Sequence, residues 1–214
     1  MFFYKILKKN FDKYYGIQLG CFNQPAEGWY NTDITPHILI SKIYGLPFIL
    51  NKVGKMTNER YLDHKTGIFK KVHYLNLLNK LPFNNNSINA YFSSHVLEHL
   101  PLEYTKSLLK EIFRTLKVKG YLRLVLPDLE YAISIYNKTN PEPFLKMIFE
   151  NQTSPLSKNQ HKWMYTFPYM KNLLNEVGFT NILKLNFKQS NYLPFIDLDN
   201  RPGNSFYIEA QKLL

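Results

Sequence analysis

Apolar positions follow two rhythms along this chain. Short apolar or β-branched runs bounded by turn residues predict strands at 15–19, 30–34, 71–75, 88–93 and 121–126, with two more at 182–187 and 206–210. Between the fourth and fifth runs the period becomes helical. Tyr104, Leu108, Leu109, Ile112, Phe113 and Leu116 form one apolar stripe, with Lys106, Lys110, Glu111, Arg114 and Lys117 opposite. Pro101 opens the approach to this helix and Gly120 closes it. A second helix is expected from about Pro168 to Val177, with Gly178 as its stop. Strand–helix alternation followed by a terminal strand pair predicts an α/β sandwich. Near the end, Phe206, Ile208 and Ala210 alternate with Tyr207, Glu209 and Gln211, which predicts an antiparallel edge strand with one covered face.

Two stretches are too long for simple connections. Residues 35–70 are expected to carry helices of their own. Residues 137–167, polar and turn-rich in their middle, read as a lid or a solvated loop. With 214 residues, the chain fits one domain, 1–214, elaborated by these two insertions. The one cysteine, Cys21, excludes an internal disulfide and fits a reducing compartment, so a cytoplasmic protein is expected. No apolar stretch is long enough to span a bilayer. In 1–14 apolar residues recur at helical spacing among Lys5, Lys8, Lys9 and Lys13. Such a helix packs on its own domain or makes weak contact with a membrane surface.

The formal charge of +11 reads either as solubility or as attraction to an anionic partner. Basic residues are scattered and only four are arginines, which argues against nucleic acid.

Residues 81–136 read as one βαβ unit. Such a unit lines up the C-terminal ends of its strands along the sheet edge where α/β proteins bind ligands. Here those ends carry Ser93, Ser94, His95, Glu98, His99, Pro127 and Asp128. A polar Ser-Ser-His run at a strand end is costly unless paired or wet, which favours function for His95. Asp128 can cap the helix that follows it. The string from His95 to His99 matches H-x-x-E-H, a zinc signature that needs a continuous helix. A strand ending at Ser94 and a proline at 101 break that helix, so no metal is expected. Upstream, the first strand enters a glycine turn at Gly20 and the second closes on Asp33, where a carboxylate can accept ribose hydroxyls. Asn76 follows the third strand and offers both donor and acceptor, or simply stabilises a turn. His161 opens an aromatic cluster in which Trp163, Tyr165 and Phe167 are expected to wall a pocket.

Taken together, the segments 19–34, 81–100, 111–130, 161–179 and 198–210 resemble the class I S-adenosylmethionine-dependent methyltransferases. The likeness is to small bacterial members with an SSHVLEHL-type motif and a VPDLE-like exit. The resemblance implies a Rossmann-like three-layer sandwich, with a seven-stranded, mostly parallel sheet whose last strand is antiparallel. It implies S-adenosyl-L-methionine as cofactor, with Gly20 and Cys21 under its methionine part and Asp33 at the ribose. Asn76 and Leu77 would meet the adenine, and Ser93 and Ser94 would lie near the methyl. Phe22 stands where the family usually has a second glycine, and a phenylalanine there is strained at positive φ. Asn76, Asn89 and Thr166 stand where an Asp is usual.

On that resemblance the expected reaction is methyl transfer to the oxygen of a sugar or other small metabolite, an anionic acceptor being one option. His95 is the expected base, Glu98 or Asp128 its orienting partner, and His161 the alternate base. Three rivals stay open. One is a degenerate scaffold that no longer binds cofactor. The others are a zinc hydrolase using His95, Glu98 and His99, and a nucleic-acid modifier.

Overall fold

The computed structural model describes residues 10–149 and 160–213. The helix expected at 1–14 and the middle of the expected lid fall largely outside the described residues.

All seven predicted strands form, and they join one sheet in the order β3-β2-β1-β4-β5-β7-β6. They are β1 (Ile17–Leu19), β2 (Tyr30–Asp33), β3 (His73–Tyr74), β4 (Ile88–Ser94), β5 (Leu116–Pro127), β6 (Thr180–Leu185) and β7 (Ser205–Gln211). β1 to β5 pair in parallel, while β7 runs antiparallel to both β5 and β6.

Side-chain alternation along the strands builds two layers. Ile17, Leu19, Tyr91, Leu122, Leu124, Leu126, Phe206, Ile208 and Ala210 face the larger core. There they meet helix α4 (Leu102–Thr115), whose predicted stripe supplies the buried Leu108, Leu109 and Ile112. Each such side chain contributes roughly 1.5–3 kcal/mol on burial. Helix α7 (Phe167–Val177) covers the same face through Met170, Leu173 and Leu174. On the other face Ala90, Phe92, Val125 and Tyr207 meet Trp29, Phe195 and Leu198.

Two expectations need correction. β7 is not an edge strand: it lies between β5 and β6, and both its faces are buried. Its polar face is accommodated because Glu209 sits opposite Arg123 in register and binds it. Gly120 does not end a helix. α4 stops at Thr115 and Gly120 lies inside β5, where a Cβ would come 2.8 Å from the Asn89 carbonyl oxygen.

Residues 35–70 carry helices, as expected: α1 (His37–Ile40), α2 (Leu46–Lys52) and α3 (Asn58–Lys65). Asp128 caps α5 (Leu129–Ser134) by accepting from the Glu130 amide. Helix α6 (Glu142–Phe149) follows it.

Candidate functional site

Parallel register brings the predicted cofactor residues to one edge. Leu19 is level with Thr32 and with Ser93, Asp33 with Tyr74, and Ser94 with Val125. Gly20, Asp33, Asn76 and Ser94 therefore all follow or end strands on the same side of the sheet. Gly20 has φ +66, and a Cβ there would lie 2.4 Å from Val96 Cγ2, so both backbone and packing demand glycine. Cys21 is buried, and burial pushes its thiol far up, leaving it neutral. Asp33 accepts from the Phe22 amide through Oδ2 and from the Thr35 amide through Oδ1. A carboxylate has about four acceptor positions, so Asp33 keeps capacity for a ligand. Asn76 spends its Oδ1 on the Leu78 amide, the turn-stabilising use, and Leu77 packs against the core. Ser93 is buried and its hydroxyl has no hydrogen-bond partner among the described residues.

Phe22 does take the strained backbone, with φ 46. Its ring is 37% exposed and packs on Phe69 and His37, with the Arg60 guanidinium 4.7 Å above it. The insertion 35–70 thus supplies a platform for the ring that replaces the usual glycine.

His95 sits just past β4 with φ 52, a second non-glycine residue in the left-handed region. Its amide bonds to the Val125 carbonyl, which fixes the turn. Nε2 lies 2.8 Å from Ser205 Oγ and Nδ1 lies 3.5 Å from Glu98 Oε1. Burial, and then the Arg201 charge, push its pKa down to about 4, so the ring is neutral at physiological pH. Glu98 is entirely buried. Asp128 is not the partner of His95: its carboxylate serves the α5 cap, with Lys184 4.0 Å away.

A cleft of about 650 Å³ opens beside His95. Tyr131 and Ile135 wall it from the α5 side, Lys146 and Met147 from α6, and Asn200, Arg201 and Asn204 from the β6–β7 connection. His161 lines it too, and no carboxylate does among the described residues. The expected aromatic wall is absent. Tyr165 is wholly buried and bonds to Thr105, Phe167 packs against the core, and Trp163 does not line the cleft. The tyrosine lost its place because the residues after His161 run into the isolated bridge between Asp128 and Tyr165, which turns that ring inward.

Sequence reasoning passed over the group that positions the 200–204 wall. Arg123 is fully buried on the second face and holds Asp199 through Nε (2.9 Å) and Nη2 (2.5 Å) and Glu209 through Nη1 (2.7 Å). The Lys188 amide also donates to Asp199 Oδ2, and the Asn191 amide donates to the remaining Glu209 oxygen, Oε2. Asp199 directly precedes the wall, so the buried ion group fixes where Asn200 and Arg201 begin. An arginine in a strand otherwise apolar was the available signal.

A methyltransferase-domain family model matches residues 55–124. No curated protein matches the sequence. Solved structures similar to it include an S-adenosylmethionine-dependent methyltransferase from Thermotoga maritima, at 16% identity and TM-score 0.50, covering 92% of this chain and 81% of that one. Another, from Archaeoglobus fulgidus, has 17% identity and TM-score 0.51, with 92% and 85% covered. A third, from Methanosarcina mazei, has 18% identity and TM-score 0.50, with 92% of each chain covered. At such identities the structures speak for the fold alone, and the domain match covers residues 55–124 only. The methyltransferase-domain match over residues 55–124, together with a fold shared with solved S-adenosylmethionine-dependent methyltransferases, is consistent with a class I enzyme of that kind.

Proposed function

We propose that this protein methylates an oxygen of a small anionic acceptor, such as a sugar or other metabolite bearing a carboxylate or phosphate. Its cofactor is S-adenosyl-L-methionine. When bound, that cofactor supplies a methyl group already activated by the sulfonium charge. The residues at the edge fit it: an unpaired buried Ser93 hydroxyl, a partly engaged Asp33 carboxylate and the Asn76 amide all lie at strand ends. Gly20, Cys21, Leu77 and Ser94 complete the assigned contacts.

One observation carries the acceptor reading: His95 borders a cleft that holds Arg201 and Lys146 and, among the described residues, no carboxylate. Cationic walls favour an anionic acceptor. His95 takes the acceptor's hydroxyl proton at Nε2, passing by Ser205, while Glu98 holds the ring from the Nδ1 side. His161 is the alternate base. Asp128 acts through the α5 cap, by keeping Tyr131 in the wall. No helix among the described residues is long and apolar enough to cross a membrane. The single buried thiol fits the cytoplasm.

Calorimetric titration of the purified protein with S-adenosylhomocysteine tests the reading. Saturable one-to-one binding is expected, followed by label transfer from S-adenosylmethionine to hydroxylated carboxylates or phosphates. Silence up to millimolar ligand would instead establish the degenerate scaffold, the reading that Phe22 favours.

A further inference from the structure

Glu98 and His161 lie 63 positions apart in sequence, yet backbone bonds fasten their neighbourhoods together. The Glu98 carbonyl accepts from the Lys162 amide at 2.7 Å and from the Trp163 amide at 3.2 Å. This clasp sets the His161 ring 5.2 Å from the His99 ring. One ligand-type atom each from Glu98, His99 and His161 then falls within 4.8 Å of the other two.

We propose that Glu98, His99 and His161 bind a divalent transition-metal ion, with zinc the best match. The ring orientations support this. His99 Nδ1 lies 3.3 Å from the Gln160 carbonyl and His161 Nδ1 lies 3.0 Å from the Met147 carbonyl. A carbonyl only accepts, so each Nδ1 carries the hydrogen and each Nε2 keeps its lone pair. Metal-bound histidines are held in this way, by a backbone carbonyl on the opposite nitrogen. A carboxylate with two imidazoles is a donor set that zinc takes with one position left open. Magnesium prefers an oxygen cage and is a poorer fit. Tetrahedral zinc holds its donor atoms roughly 3.4 Å apart, so the three side chains close in slightly on loading.

This set differs from the helical H-x-x-E-H arrangement. The left-handed turn at His95 removes that residue from the set, and His161 replaces it. His95 becomes the outer neighbour of Glu98 instead. Glu98 is buried while both histidines are partly exposed, so the open position faces the side where His161 lines the cleft. On the methyl-transfer reading above, the ion gives the anionic acceptor a second anchor and, with His161 engaged as a ligand, leaves His95 as the base; the binding itself does not depend on that reading.

The test is calorimetric titration of the full chain with zinc sulfate after dialysis against chelator. One ion per chain is expected at micromolar or tighter affinity. His161→Ala and His99→Ala each weaken it at least 30-fold, whereas His37→Ala leaves it within threefold. Glu98→Gln repeats the loss without removing bulk. S-adenosylhomocysteine binding stays within threefold in the His161 and His99 variants, which also shows that they fold. Absence of stoichiometric zinc, or parent-like zinc affinity in either histidine variant, overturns the site. If zinc binds as stated and S-adenosylhomocysteine does not, the metal site stands and the transferase reading falls.

Discussion

The Phe22 amide donates to Oδ2 of Asp33 at 2.9 Å. That bond ties the turn after β1 to the end of β2 and holds Phe22 in the left-handed region. The ring itself is turned onto Phe69 and Arg60. Strain at such a residue costs about 1–3 kcal/mol. Phe22→Gly removes the strain but also the ring contacts, and it frees the unfolded chain. We expect S-adenosylhomocysteine affinity to change less than threefold. Asp33→Ala removes both the turn's anchor and the ribose acceptor, and calorimetry should show affinity falling 10- to 100-fold.

His95→Ala should lower turnover by about 10²–10⁴, the usual contribution of a positioned base. Cofactor affinity should stay within threefold, since the ring lies on the cleft side. Single-turnover kinetics with saturating donor reads this directly, and unchanged turnover removes His95 from the mechanism.

Arg123 is one cation between two buried carboxylates. Arg123→Met leaves Asp199 and Glu209 uncompensated, and breaking a buried pair in this way costs about 3–5 kcal/mol. Urea unfolding should show that loss. Where the variant still folds, the 200–204 wall loosens and KM for the acceptor rises more than kcat falls.

His37 Nδ1 and His64 Nε2 are 2.9 Å apart, and burial lowers both pKa values, aided at His37 by Arg60 and at His64 by His37. The fold therefore prefers both rings neutral. As pH falls below about 6.5 the unfolded chain takes up protons first. The stability this pair contributes is full above that pH and is lost as pH drops towards the depressed folded values. Double protonation would also set two donors face to face. His64→Gln should flatten the fall in thermal midpoint between about pH 7 and pH 5 relative to the parent chain.

The strands and α4 were legible because their periodicity is strong and local. So was the edge that gathers Gly20, Asp33, Asn76 and Ser93, since parallel strands leave no other arrangement. The cleft was not. Arg201, Asn204, Lys146 and Tyr131 come from separate connections, and no spacing in the sequence brings them together. Tyr165 was expected in a pocket wall, and the bridge to Asp128 that buries it instead is non-local. Glu98 and His99 were noticed within H-x-x-E-H, but His161 was not linked to them, because the Glu98 clasp that brings it near is non-local.

Placing β7 between β5 and β6 has a consequence for how the chain reaches this state. Among the described residues β6 hydrogen-bonds to no strand but β7, so its place in the sheet waits until the later segment has inserted. The Arg123 guanidinium meets Glu209 only at that same moment. Assembly of this half of the sheet must therefore be a late, concerted event built on sequence-distant pairings, the kind that slows folding.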